Sequence, residues 1–471
     1  MFLCREKELK KMNVRYQNKG LECIIIYGRR RVGKTALINE FVKNKPTIYF
    51  PALDTNARGN LSALSCAIHN YQHPHSQEAP VYNTFDAAFD EITQIAKNSD
   101  RVVFVIDEYP YLAKADNAVP SKLQHLLDHD WAETNLYLIL CGSSMSFMED
   151  HVLSQKSPLF GRRTAQFKIK PLTYLESARF HPELSPEENA LIYGITGGIP
   201  HYIRKLDVRT SIKDALLENL FDSSSYLFEE PANLLKQELR EPAVYNAVIT
   251  ANANGSARLN EISSKVGIDN AVCSKYLRGL SELEIIRKTE PVVDKTKKKT
   301  LYRITDNFFR FWYRFVPNNM MAVNSGRMEE IYDKTVERYL PEYMGPVFEE
   351  ICTQYLVHYA KNLPFYITEI GEWWGTHPIR KKEAQLDIVA LGTEDNERNL
   401  LIGSCKYRNE KIGCEELDLI RDYASAIAKA RDKCYFKIFS KSGFTDALYE
   451  KEKAGDVSLV SIEELYNVRT R

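Results

Sequence analysis

The sequence predicts an α/β protein whose first third is a parallel sheet with a phosphate-binding loop, followed by a helical lid, a winged-helix domain and a C-terminal α/β domain. Three observations carry the first part. The apolar run 23–27 reads as a buried strand and leads into Gly28-Arg29-Arg30-Arg31-Val32-Gly33-Lys34-Thr35, which fits G-x-x-x-x-G-K-[ST]. Residues 36–41 continue it with helical character. A second apolar run, 101–106, ends in Asp107-Glu108, and a third, 136–142, ends in Ser143-Ser144. Strands alternating with helices up to residue 172 imply a mostly parallel sheet covered on both faces.

A loop between a strand and a helix N-terminus points its N–H groups at one spot, where the helix dipole favours negative charge. Glycines at 28 and 33 let the backbone curl round a phosphate. Gly28, Arg31, Val32, Gly33, Lys34, Thr35 and Ala36 are therefore the expected nucleotide-binding positions. Lys34 reaches the β and γ phosphates, and Thr35 can ligate Mg²⁺. An Asp at a strand end, Asp107, suits the same ion. Glu108 suits a general base that polarises the attacking water. Ser143 can sense the γ phosphate or that water, or be an ordinary turn serine. Arg162 and Arg163, in a loop beyond the third strand, can supply transition-state charge or be a surface pair.

The chain of 471 residues has room for two to four domains. Hydrophobic content of 44% with 27% charged residues suits a soluble globular protein, and no apolar run approaches a membrane span. Lys+Arg and Asp+Glu both number 63, so any nucleic-acid argument rests on local charge. The N-terminal residues turn charged too soon for a secretory signal. Nine cysteines, an odd count without C-x-x-C spacing, read as reduced thiols in a cytoplasmic protein.

The remaining elements follow in order, with domains expected at 1–172, 173–240, 241–316 and 317–471. Residues 173–240 look helical: apolar spacing over 187–195 meets Thr196-Gly197-Gly198-Ile199-Pro200, where glycines stop one helix and proline starts the next. Such helices form a lid or a plain linker. Residues 241–316 suggest a winged helix, with helices at 243–251, 259–266 and 270–283 and strands at 285–288 and 300–304. Ser274, Lys275 and Arg278 on the third helix, and Lys297, Lys298 and Lys299 at the hairpin tip, suit double-stranded DNA. A spacer module with a solvated tip is the alternative. The aromatic run 307–315 reads as a packed helix joining two domains rather than a base-stacking platform. In the last domain a helix is expected at 346–359, strands at 386–391 and 400–406, and a long helix at 415–431. Two carboxylates and a lysine there suit Mg²⁺-assisted phosphodiester hydrolysis, or are merely exposed polar groups.

Taken together, these pieces resemble the AAA+-related P-loop ATPases of the STAND class from archaea and bacteria. The likeness rests on Phe2 to Leu9, Tyr27 to Thr35, Val105 to Glu108, Cys141 to Ser144, Ser157 to Arg163 and Gly197-Gly198-Ile199-Pro200. It implies ATP and Mg²⁺ as cofactors and adds Arg5 and Pro200 to the nucleotide-binding set. Cys4 stands where a glycine is usual. The last domain is similar to restriction-endonuclease-like folds of the PD-(D/E)XK type. The likeness implies Glu349 or Glu350 as the helix acid, Asp387 as the metal-binding acid and Lys406 as the motif lysine. The acid expected two positions before that lysine is replaced by Ser404, which weakens the case for cleavage; Glu383 or Glu369 are the nearby candidates to substitute. The expected function is an ATP-hydrolysing switch engaging DNA, a protein partner or another copy of itself, with no membrane partner. The alternatives are an ATP-regulated nuclease and a binding protein that uses nucleotide structurally.

Overall fold

Among the described residues, five parallel strands form the N-terminal sheet: β1 (Glu22–Tyr27), β2 (Thr47–Pro51), β3 (Val102–Asp107), β4 (Leu136–Gly142) and β5 (Ala165–Lys168), in the order β2-β3-β4-β1-β5. Every residue of β1, β3 and β4 is buried, which is why these three read as unbroken apolar runs. The edge strands β2 and β5 alternate in burial, are short, and gave no such signal. Tyr27 pairs with Gly142, and Ile106 with Leu140. The loops after β1, β3 and β4 thus leave the sheet side by side at its C-terminal edge, where ligands bind in open parallel sheets.

This computed structural model describes residues 2–74, 80–206, 208–293, 299–394 and 397–468. The chain divides into two units, Met1–Pro171 and Leu172–Arg471. Helices Lys34–Val42, Ala57–Gln72 and Phe85–Lys97 cover the first sheet, with Trp131, Phe89 and Phe104 packed edge to face in its core.

In the second unit, helix Pro186–Thr196 opens on a Ser185/Glu188 capping box and stops at Gly197 in the left-handed conformation. Pro200 begins helix Pro200–Lys205. A Cβ on Gly198 would run into the carbonyl of Leu172, whose N–H donates to Gly198 O at 2.8 Å. Three helices, Pro242–Ala253, Leu259–Val266 and Asn270–Glu282, precede an antiparallel pair, β6 (Ile286–Thr289) and β7 (Leu301–Ile304). The aromatic helix Asn307–Phe315 is packed: Phe308, Phe309, Phe311, Tyr313 and Phe315 are buried, and Phe308 lies 4.3 Å from the Tyr202 ring.

A mixed sheet closes the unit: β8 (Glu369–Thr376), β9 (Glu383–Glu394), β10 (Glu397–Lys406), β11 (Lys433–Ser440) and β12 (Ser458–Ser461). Its order is β12-β11-β10-β9-β8, with β8, β9 and β10 antiparallel and β10, β11 and β12 parallel. Two expected helices differ. The helix expected to start at Pro346 spans Glu337–His358, with Pro341 and Pro346 inside it. Pro346 and Glu342 are exposed, so the carbonyl that loses its helical donor can be hydrated. The helix expected over 415–431 is Cys414–Ala424; Ser425 folds back to donate to Asp422 O at 2.6 Å, and a run of tight turns leads to β11.

Candidate functional site

At the end of β1 the backbone passes under another segment. A Cβ on Gly28 would run into the carbonyl of Ile169, whose N–H donates to Tyr27 O at 2.7 Å. Arg31 (φ 71°) and Gly33 (φ 95°) are left-handed, which turns successive N–H groups toward a common centre. Gly33 then caps helix Lys34–Val42. Val32 is fully buried, whereas Thr35 and Ala36 are exposed at the helix start.

Lys34 is buried, and its ammonium donates to Gly28 O at 2.8 Å and Arg29 O at 2.9 Å. Burial pushes its pKa down, and the nearby Glu108 and Asp107 oppose that. Asp107 is held on both oxygens. Oδ2 accepts from Thr35 Oγ1 at 3.1 Å and Tyr49 OH at 2.7 Å, and Oδ1 from the Glu108 N–H at 3.0 Å. Burial, then the charge of Asp107, raises the Tyr49 pKa, so the phenol stays a donor. Glu108 is left-handed at φ 54°, and its Oε2 accepts from Ser143 N–H at 3.1 Å and Ser143 Oγ at 2.9 Å.

This brings Lys34, Thr35, Asp107, Glu108 and Ser143 together. The hard oxygens of Thr35 and Asp107, side by side, fit Mg²⁺. Sequence reasoning missed Tyr49, because it lies on an edge strand with no motif; its only signal was alternation within the run 47–51.

The other expected residues divide. Arg5 is buried and donates to Val32 O at 3.2 Å and Lys170 O at 2.5 Å. Cys4, where glycine was expected, is left-handed at φ 59°, which gives the glycine preference its physical reason. Arg162 forks onto Asp128, both bonds 2.7 Å, and also donates to the carbonyls of Pro158 and Phe160. Arg163 lies over the Phe160 ring and donates to Leu153 O at 3.4 Å. Pro200 belongs to the second unit.

In that unit, neighbouring acids on helix Glu337–His358 part company. Glu350 accepts from Tyr193 OH at 2.6 Å and from Asn307 Nδ2 at 3.3 Å. Glu349 instead faces Asp387, Glu372 and Lys406, and burial, with the charge of Asp387 next, raises its pKa to about 8. Asp387 is also raised by burial, against the pull of Lys406, and accepts from the Cys405 N–H at 2.9 Å. The lysine lies 3.8 Å from Asp387 and 3.2 Å from Glu416. Ser404, which replaced the expected acid, donates to Glu416 at 2.7 Å. The acid beside Lys406 is therefore Glu416, from helix Cys414–Ala424, and not Glu383 or Glu369. A carboxylate ten residues beyond Lys406 carries no linear signal. Among the described residues no cluster of three or more His, Cys, Asp or Glu is arranged to hold a metal ion.

Of the proposed DNA contacts, Lys275 and Arg278 are exposed, Ser274 is half-buried, and the Lys299 ammonium lies against Gly375 of β8. Lys297 and Lys298 lie outside the described residues. No described helix is long and apolar enough to cross a membrane.

Comparison with known proteins agrees with the phosphate loop. Residues 2–206 match the model of an ATPase domain found predominantly in Archaea, and residues 312–417 match archaeal and bacterial proteins of unknown function. An uncharacterized protein of Methanocaldococcus jannaschii is 31% identical over 474 residues, covering 98% of this chain and all of its own length. An uncharacterized ATP-binding protein of that organism is 47% identical over 45 residues, 10% of this chain and 76% of that protein. A Walker-type ATPase of Pyrococcus abyssi is similar in fold, with TM-score 0.52 at 20% identity over 66% of this chain and 96% of its own. The chain belongs to the family of the full-length Methanocaldococcus relative, in which an archaeal-type ATPase domain precedes a C-terminal region of unknown function.

Proposed function

We propose that the protein is a Mg²⁺–ATP-driven switch whose turnover is coupled to engagement of DNA or a protein partner. The observation that carries this reading is Thr35 Oγ1 at 3.1 Å from Asp107, beside the buried Lys34. Two oxygen donors for a hard cation and one ammonium for the phosphates stand at the mouth of a main-chain N–H nest. Bound Mg²⁺ would neutralise phosphate charge. In this reading the 28–36 backbone cradles the phosphates, with Arg31, Val32, Gly33 and Ala36 contributing and Arg5 flanking the nucleotide. Lys34 leaves its two carbonyl partners for the β and γ oxygens. Glu108 accepts the proton of the attacking water once Ser143 turns its hydroxyl to the γ phosphate. With Arg162 committed to Asp128, transition-state charge falls to Arg163, or to Arg162 after that fork opens.

The reading assigns 1–172 to the ATPase core, 173–240 to a lid, 241–316 to a winged helix and 317–471 to a nuclease-like domain. Exposed Lys275 and Arg278 support DNA contact by the winged helix. The test is phosphate release with and without DNA, with the molecular mass measured in ATP. Glu108→Gln should bind ATP and turn it over about 10²-fold more slowly. Wild-type turnover in that variant would remove Glu108 from the mechanism, and no nucleotide binding at all would end the reading.

A second reading, an ATP-regulated nuclease, is favoured by Glu416, which restores a carboxylate beside Lys406. It requires Mg²⁺-dependent nicking of DNA that disappears in both Asp387→Ala and Glu416→Ala; absence of nicking by the wild type eliminates it.

A further inference from the structure

Helix Glu6–Gln17 and strand β5 enclose a groove of about 760 Å³ in the first unit, lined by Lys7, Lys10, Lys11, Val14, Arg15 and Asn18 on one side and Ala165, Gln166 and Phe167 on the other. The helical residues follow one stripe, spaced three and four apart. No acid lines the groove. Arg15 is paired with Glu22 at 3.2 Å, whereas Lys7, Lys10 and Lys11 form no ion pair with any described residue. Val14 is 54% exposed. The other wall is the end of the sheet: β5 pairs with β1 on one side and with no described strand on the other. Its outer edge carries main-chain donors and acceptors that another strand can satisfy.

We propose that this groove docks an extended acidic polypeptide segment, which adds to β5 as a sixth strand and lays its carboxylates along the lysine stripe. Polypeptide satisfies both walls. Its main chain pairs with the β5 edge, and the side chains on one face of the added strand reach the lysine stripe of the helix. Spacing agrees, since one helical turn from Lys7 to Lys11 rises ~6 Å and alternate strand residues lie ~6.6 Å apart. A nucleic-acid backbone would use the lysines and leave the β5 main chain unpaired.

The test uses the full chain and a fluorescent peptide of alternating glutamate and valine. The peptide should bind, and Lys7→Glu/Lys11→Glu should weaken it on the order of tenfold. Hydrogen exchange should show new protection of the 165–168 amides in the complex. Failure of the peptide to bind, binding indifferent to charge reversal, or binding without β5 protection would each overturn the proposal. So would a DNA duplex that protects β5 where the peptide does not. Loss of self-association in the charge-reversed variant would give the groove to a second copy of the chain and equally overturn it.

Discussion

Two regions of this molecule place a lysine beside carboxylates, and they handle the charge in opposite ways. At the phosphate loop, Lys34 is held by two carbonyls, and Asp107 and Glu108 are held by hydroxyls and N–H groups. These neutral partners can be exchanged for those of a charged ligand. In the C-terminal cluster, Lys406 pairs directly with Asp387 and Glu416, while Glu349 feels the acids Asp387 and Glu372 against the cations Arg303 and Lys406. There the positive charge is already spent internally. A site meant to receive a phosphate keeps its ammonium on weak partners; one that has closed its ion pairs must break them before binding anything.

The largest expected effect breaks the first region. Lys34→Ala should lower ATP turnover by roughly 10³-fold with the fold retained, because one preorganised charge on the transferring phosphoryl group is lost. Steady-state phosphate release measures this, and near-wild-type turnover would erase the contrast.

Next comes the second region. Lys406→Met should destabilise the Leu172–Arg471 unit by about 3 kcal/mol, since Asp387 and Glu416 lose their shared cation while largely buried. Denaturant unfolding reads this, while ATP turnover should hold. An unchanged midpoint would mean that Lys406 stands ready for a ligand, as Lys34 does.

Titration sharpens the comparison. The carboxyl of Glu349, raised to about 8, binds a proton in the folded state at pH values where the unfolded chain has released it. Its stabilising contribution is full below the ordinary glutamate range and fades as pH rises through about 8. Glu349→Gln should flatten that decline and leave the variant more stable than wild type at alkaline pH. Thermal unfolding across pH checks it; parallel curves for the two proteins would refute it.

The smallest effect concerns Tyr49. Tyr49→Phe removes one of two hydroxyls on Asp107 Oδ2, a hydrogen bond to a charged acceptor contributing about 1.5 kcal/mol. We expect a several-fold rise in the Mg²⁺ concentration needed for half-maximal turnover, with the saturated rate little changed. An unaltered Mg²⁺ requirement would make the phenol purely structural.

Where sequence and structure agree, the reason is local. The strands 22–27, 102–107 and 136–142 were legible because both faces are covered, so no position but the terminal Glu22 and Asp107 is charged. Gly28 and Gly33 were legible because the backbone there excludes a side chain or takes positive φ. Strands β2, β5, β8, β11 and β12 were missed, since edges and half-exposed strands show weak or broken alternation. Helix Glu337–His358 was cut short in the reading by Pro346, and the helix before β11 was drawn too long, because periodicity does not see the Ser425 turn.

By itself, then, the amino-acid order determined the phosphate loop, the acids at the end of β3 and the parallel sheet that holds them, all of which depend on residues a few positions apart. Only the tertiary structure decided which side chains meet: Tyr49 on Asp107, Ser143 on Glu108, Arg162 on Asp128, and Glu416 rather than Glu383 or Glu369 at Lys406. Such meetings depend on strand register and helix facing, which long-range packing sets and no short stretch of chain encodes.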